Sequence, residues 1–522
     1  MKNISKIIES IVPYKFKFDK KNFGVLISDR LRTDHNFRSI LSSIVINKNF
    51  NANVFSLSEK KTFNNETNDL FRLFDIKKLY GNIRIFLFNN VNIYFKAFKK
   101  IIFFYFKIFY KKNKLDWFVK NFKVLDILIG DGVYDDYLRY NHRYLNPTIF
   151  SFSFFYILYS GIYKILIIDK YTKINNIKFF ISNQKTYSSI GNLMRRYGAK
   201  KNIITILNGA NFIKFIDNYN DSLGTPYRVK DKLINITKKK ISEKLVYKYY
   251  HDRFLNKTFG LYVDKKYLKK NYKTSNDKKT LDLIKKIKKK NFRSINLYAA
   301  HCFADASNYC NGLIFRDYYD HFISTIKFLK KIENDKDFWI IKPHPARKNY
   351  DEVGIIEKAL LKYNVSNVII CPKNVNNNIL YKNVNNLVTG VSTIALEFSC
   401  SGKKPIITGE APFYNKETCT LVKSKNDYFR TLKNINDYQN MMSKNQILKS
   451  KYILFLLDNL IVNNLPSSKI LPINTKYIKN SLSYLKEIHQ NRIKNKLNTI
   501  FDEPFYEQLE KKIKIKLNNT HN

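Results

Sequence analysis

The 522-residue chain is 44% hydrophobic and 15% aromatic, enough apolar material for packed cores; this excludes wholesale disorder and suggests two or three domains. Its five cysteines, an odd number without CxxC spacing, exclude a disulfide framework or a structural zinc site and fit a reducing cytoplasm. The formal net charge of +51 points to polyanionic partners such as phospholipid or a negatively charged substrate, although lysines spread along the whole chain also express biased residue usage.

The N-terminal MKNISKIIESIVPYKF has no long apolar core, so no signal peptide is expected. Short apolar runs then alternate with helical patterns. GVLISD (24–29), NVFSLS (53–58), IRIFLF (83–88), VLDILIG (124–130), IKFFISN (177–183) and NIITILNG (202–209) read as strands. QKTYSSIGNLMRRYG (184–198) reads as a helix closed by Gly198. TIFSFSFFYILYSGIY (148–163) falls short of the ~20 residues that span a bilayer, and IIFFYFKIFY (101–110) contains Lys107. Both are expected as buried or interface helices. Residues 1–215 are thus predicted as an N-terminal Rossmann-like domain, and the Lys-rich stretch 216–290 as a helical linker or insertion.

The alternation resumes with strands at SINLYAAH (294–301), FWIIKPHP (338–345), NVIICP (367–372), NNLVTG (385–390) and KPIITGE (404–410). Helices are predicted at 315–332, at 350–363 and at STIALEFSCSG (392–402), the last ended by Gly402. Residues 291–424 form a second Rossmann-like, nucleotide-binding domain in this reading. Residues 425–522 form a helical, basic C-terminal region whose KEIHQNRIKNKLNTIF and EQLEKKIKIKLNN segments either pack back on the core or lie on a membrane surface. The fold class is α/β, with two doubly wound Rossmann-type halves facing a cleft. Ligands in such sheets bind beyond the carboxyl ends of the strands, so functional residues should follow each strand.

They do. In VTGVSTIALEFSCSG, Gly390 frees the turn, Ser392 is a natural N-cap followed by Thr393, and the helix start is an anion site. Glu397, further along that helix, is either a ribose acceptor or a solvent-facing glutamate. In KPHP, the prolines at 343 and 345 push Lys342 and His344 towards extended conformations. Lys342 offers a point charge to a phosphate, and His344 a hydrogen bond or an acid, unless the histidine is a purely structural part of a Pro-rich turn. His301 could contact the same phosphate, while Asp305 suits a turn cap. In the first half, DILIGDGVYDDYLRYNHR places Asp131 between two glycines, followed by Asp135, Asp136, Arg139 and His142. A carboxylate there suits a general base, and Asp131 is favoured over Asp135 and Asp136; Asp-Gly is equally a turn pair.

The KPHP, GVSTIALEFSCSGKKPII and GDGVYDDYLRY blocks resemble bacterial capsular and surface polysaccharide biosynthesis glycosyltransferases. These are Kdo-transferase-like enzymes related to bacterial sialyl- and polysialyltransferases. The resemblance covers roughly 120–415 and implies the GT-B architecture, a CMP-activated donor, and no cofactor or metal beyond the nucleotide-sugar co-substrate. It matches His344 and Pro345 to a His-Pro motif and Ser392 and Thr393 to a Ser-Ser/Thr motif, both holding the nucleotide phosphates. It matches Asp131 to an acidic motif that activates the acceptor hydroxyl; Gly130 stands where that motif has its first acidic residue. The implied activity is inverting transfer of a sugar to a glycan or glycolipid acceptor. The implied location is cytoplasmic, with peripheral contact at an anionic inner membrane and no specific nucleic acid. The alternatives are a CDP-polyol phosphotransferase of teichoic-acid-type synthesis, a nucleotide-sugar epimerase, and a non-catalytic basic protein that binds nucleic acid or a membrane.

Overall fold

The structure is a computed structural model that describes all residues except 1–11, 13, 15, 17–18, 20–21, 30–32, 60–69, 82–89, 141, 184–185, 209–212, 224–228, 230, 256–276, 309–312, 333–335, 374, 439, 459–480 and 522. The expected strand 83–88 and Cys310 lie outside the described residues. The chain divides into two compact units. The first holds residues 1–137, 148–226 and 463–522; the second holds 138–147 and 227–462.

The first unit is built on β1 (Gly24–Ser28), β2 (Asn53–Ser58), β3 (Lys77–Tyr80), β6 (Ile177–Ser182), β7 (Ile204–Asn208) and β8 (Ile213–Ile216), in the order β3-β2-β1-β6-β7-β8. Strands β4 (Lys123–Val124) and β5 (Ile127–Leu128) lie outside this sheet. Among the described residues, the pairings in this sheet are parallel except β7 with β8. β1 and β2 are buried along their whole length, as two covered faces require. The apolar run 124–130 does not join the sheet. Leu125 and Asp126 take left-handed φ values of 53° and 63°, which turn it into the minimal antiparallel hairpin β4–β5. The helix Ile190–Lys200 also runs two residues past Gly198. That glycine is not a cap: a Cβ there would lie 2.1 Å from Thr205 Oγ1 and 2.7 Å from the Phe180 ring, so it lets helix and sheet approach closely.

The helix Phe152–Ile174 is longer than expected, because it continues through Lys164. It is long and apolar enough to cross a bilayer, yet over half of its most apolar window is buried within the protein. The C-terminal helices Ser481–Lys494 and Pro504–His521 return to the first unit. Their Leu485, Ile488, Phe505, Leu509 and Ile513 share one core with Phe37, Leu41 and Ile44 of the helix Thr33–Phe50. The basic C-terminal region therefore packs back on the core; burying these apolar side chains is the stronger force.

The second unit is built on β9 (Ser294–Ala299), β10 (Asp337–Lys342), β11 (Val368–Ile370), β12 (Asn386–Thr389), β13 (Ile406–Ile407) and β14 (Thr420–Leu421). The order is β11-β10-β9-β12-β13-β14, parallel throughout. Helices Asp231–Lys240 and Glu243–Leu255 pack on the helix Lys444–Asp458, and Asp277–Lys288 packs on Asn377–Asn383. The stretch 216–290 is thus no free linker: its described part from 231 onward forms the outer layer of this unit. Numbered within its own sheet, each unit has the strand order 3-2-1-4-5-6 of a doubly wound Rossmann-type fold. Four cysteines, Cys302, Cys371, Cys400 and Cys419, are buried free thiols.

Candidate functional site

The strand order fixes where to look. In the second unit the order reverses between β9 and β12, and ligands of such sheets sit beyond the strand ends at that switch point. Ala299 of β9 stands in register with Lys342 of β10 on one side and with Thr389 of β12 on the other. The three central strands therefore end level. The loops carrying His301, His344 and Ser392 leave from one edge.

His344 is the N-cap of the 3₁₀ turn Pro345–Tyr350, with Pro345 at its first position and the extended dihedrals φ −63°, ψ 136°. The Ala346 N–H donates to His344 Nδ1 at 3.2 Å, and Cys302 Sγ lies 3.0 Å from the same nitrogen. Burial pushes the Cys302 thiol well above its usual range, so it remains S–H and a donor. With donors on its Nδ1, the neutral ring carries its proton on Nε2, and an N–H is available for an acceptor such as a phosphate oxygen. Burial, together with the neighbouring His301, lowers the His344 pKa to about 3. Burial also lowers that of His301, with Asp305 acting in the opposite sense. Without an anion both rings are neutral.

The imidazoles belong to a stack. His301 lies 4.0 Å from Tyr318 (ring centroids) and 5.2 Å from His344, with the rings stacked at interplanar angles of 16° and 25°. Gly390 is required beneath it, although not for the freedom expected from the sequence, since among the described residues only Gly354 and Gly402 are glycines with positive φ. A Cβ at Gly390 would stand 3.0 Å from Tyr318 Cε1, so the missing side chain is what seats the ring that positions His301. Ser392 is the N-cap of the helix Thr393–Cys400, but its hydroxyl does not cap it, and no acidic side chain occupies the first turn. The positive end of the helix dipole and its first N–H groups are thus left for an anion. Thr393 is exposed at the same end. By strand alternation Lys342 shares the sheet face of Phe338 and Ile340, and helix residues Ala395, Leu396 and Phe398 belong to the core on that face. Glu397 does not face solvent: it is buried, and its Oε2 accepts from the Tyr381 hydroxyl at 2.9 Å. Asp305 caps its own turn by accepting the Ala306 N–H at 2.9 Å.

Sequence reasoning missed Glu352. It is buried, its Oε1 accepts the Ala304 N–H at 2.8 Å, and it ties the His301 loop to the His344 loop. Burial raises its pKa to about 7, with the backbone N–H groups of Ala304 and Phe303 pulling the other way. No periodicity or turn signal marks an acid eight residues past a histidine. Arg139, read from sequence with the first half, belongs to the second unit, as does Tyr144: the Arg139 guanidinium lies 5.3 Å over the Tyr350 ring, and buried Tyr144 packs on Phe303 and Tyr319.

In the first unit Asp131 opens the helix Gly130–Leu138. Its carboxylate forms a fork with Arg196 at 2.6 and 2.7 Å and accepts the Gly132 N–H at 2.7 Å. Burial alone would lower the Arg196 pKa; the carboxylate beside it holds it above its ordinary value. Three of its roughly four lone-pair sites are therefore engaged in positioning, which leaves one for a base's work. Asp136 accepts from both the amide and the hydroxyl of Ser188, and burial raises its pKa. Asp135 is buried beside them on the same helix.

No protein-family model and no curated protein matches the sequence. Among solved structures, the chain aligns with a glycosyltransferase from Rickettsia africae at 11% identity, over 91% of this chain and 99% of that one, with a TM-score of 0.25. It aligns with the Methanocaldococcus jannaschii UDP-GlcNAc 2-epimerase, solved with UDP-GlcNAc and UDP, at 11% identity over 83% and 98% (TM-score 0.25). A spinosyn rhamnosyltransferase aligns at 8% identity over 94% and 100% (TM-score 0.23). At these scores the fold assignment rests on the two strand orders themselves.

Proposed function

We propose that the chain is a glycosyltransferase of bacterial surface polysaccharide synthesis. It would transfer a sugar with inversion from a CMP-linked donor to a glycan or glycolipid, without a metal. The observation that carries this reading is the level ending of β9, β10 and β12, which gathers the His301–His344 stack and the uncapped helix start at Ser392 on one sheet edge. The motif resemblance supplies the donor and acceptor classes.

In this reading the acceptor oxygen bonds to the anomeric carbon as the bond from that carbon to the phosphate oxygen breaks; the hydroxyl proton passes to solvent, and the departing phosphate gains negative charge. Donors fixed in advance where charge develops stabilise that step more than the ground state. His344 Nε2–H, Lys342 and the helix start at Ser392 and Thr393 fill this role, and His301 orients His344 by stacking. Asp131 acts as a positioning residue through Arg196. The test is a thermal-shift series with CMP, CDP, UDP and GDP on wild type, His344→Ala and Ser392→Ala. CMP or CDP should raise the melting temperature of wild type and much less that of either variant. Stabilisation by no nucleotide overturns the reading; stabilisation by UDP alone overturns the CMP donor.

A further inference from the structure

The helix Val91–Phe109 of the first unit carries two stripes. Ile93, Ala97, Ile101, Phe104 and Ile108 are buried, and the helix packs on Phe152–Ile174. Phe95, Phe98, Ile102, Phe106 and Phe109 repeat at helical spacing and are exposed, Phe95 and Phe106 at 70%. At 100° per residue this second stripe lies about 140° round the helix from the first. Exposed Phe150 stacks on Tyr105 and widens the patch. Lys99 is exposed next to that stripe, and exposed Lys96, Lys100 and Lys107 line the flank between it and the buried stripe.

An exposed apolar row of this size marks an interaction surface. The flanking charge says which kind: lysine is depleted from protein interfaces, whereas an aromatic face edged with lysines suits an anionic lipid surface. The C-terminal basic helices are not available for this role, because their apolar side chains are in the core.

We propose that the helix Val91–Phe109 docks lengthwise on a bilayer containing anionic phospholipid. Its 19 residues give a contact about 28 Å long. The Phe95–Phe109 stripe enters the headgroup–acyl boundary, and Lys96, Lys100 and Lys107 meet the lipid phosphates. The inference holds whether or not the second unit binds a nucleotide.

The test is co-sedimentation of the full chain with vesicles of phosphatidylcholine alone and of phosphatidylcholine mixed with phosphatidylglycerol. Wild type should sediment with the mixed vesicles and far less with the neutral ones. Phe95→Ser/Phe106→Ser should lower partitioning at least about tenfold with an unchanged circular dichroism spectrum, since both positions are exposed. Lys96→Glu/Lys100→Glu/Lys107→Glu should lower it about a hundredfold or more. Equal sedimentation of wild type and the Phe variant overturns the proposal, as does a wild type that ignores mixed vesicles. A lipid-free dimer in light scattering that the Phe variant converts to monomer assigns the face to a second copy, and also overturns it.

Discussion

The Asp131–Arg196 pair separates a positioning role from a catalytic one. The two side chains are only 10% and 4% exposed, and each carboxylate oxygen receives its own guanidinium N–H. Asp131→Asn removes the charge and leaves Arg196 buried without its counter-ion, which costs about 3–5 kcal/mol. For a unit of this size that lowers the melting temperature by about 6–20 °C. Arg196→Met should cost a similar amount. The double variant should cost less than the two singles together, with a coupling energy of about 2–3 kcal/mol, because both charges are then gone. The two tryptophans permit the assay: Trp117 lies in the first unit and Trp339 in the second. In a Trp339→Phe background, urea unfolding followed through Trp117 reads the first unit alone. If Asp131→Asn leaves that transition within about 0.5 kcal/mol of wild type while sugar transfer collapses, the positioning reasoning is refuted and Asp131 is the base.

Three further outcomes are expected. An anion charge about 4 Å from His344 at an effective dielectric near 20 is worth about 4 kcal/mol, or about three pKa units. That lifts its pKa from about 3 towards 6 on binding, so nucleotide binding should take up protons and tighten as pH falls through 6; binding enthalpies that do not vary with buffer ionisation heat at pH 6 would contradict this. Glu352, raised from 4.5 to about 7, stays protonated in the fold while the unfolded chain ionises, so its contribution is lost as pH rises between those values. Glu352→Gln should therefore gain up to about 3 kcal/mol over wild type between pH 4.5 and 7.5, measured by urea unfolding at both pH values. Gly390→Ala should displace Tyr318, cost about 1–3 kcal/mol and weaken nucleotide binding, seen by thermal shift and titration calorimetry.

The sequence alone determined the two-unit α/β plan, because runs such as GVLI and FWII carry their burial in their composition: strands covered on both faces read as near-continuous apolar runs. It also placed Lys342 at a strand end and His301, His344 and Ser392 just past strand ends, since proline, a histidine after an apolar run and an N-cap serine are local signals. The tertiary structure decided what local signals cannot carry. Only strand order made the three loops adjacent, and only packing showed that Gly390 and Gly198 are there for space. Glu352 and Arg196 gave no pattern in the chain, because a buried carboxylate or guanidinium is defined by partners 48 and 65 residues away. The run at 124–130 misled for the same reason: apolar composition calls for burial, but whether burial comes as a sheet strand or as a hairpin is settled by the neighbours that cover it.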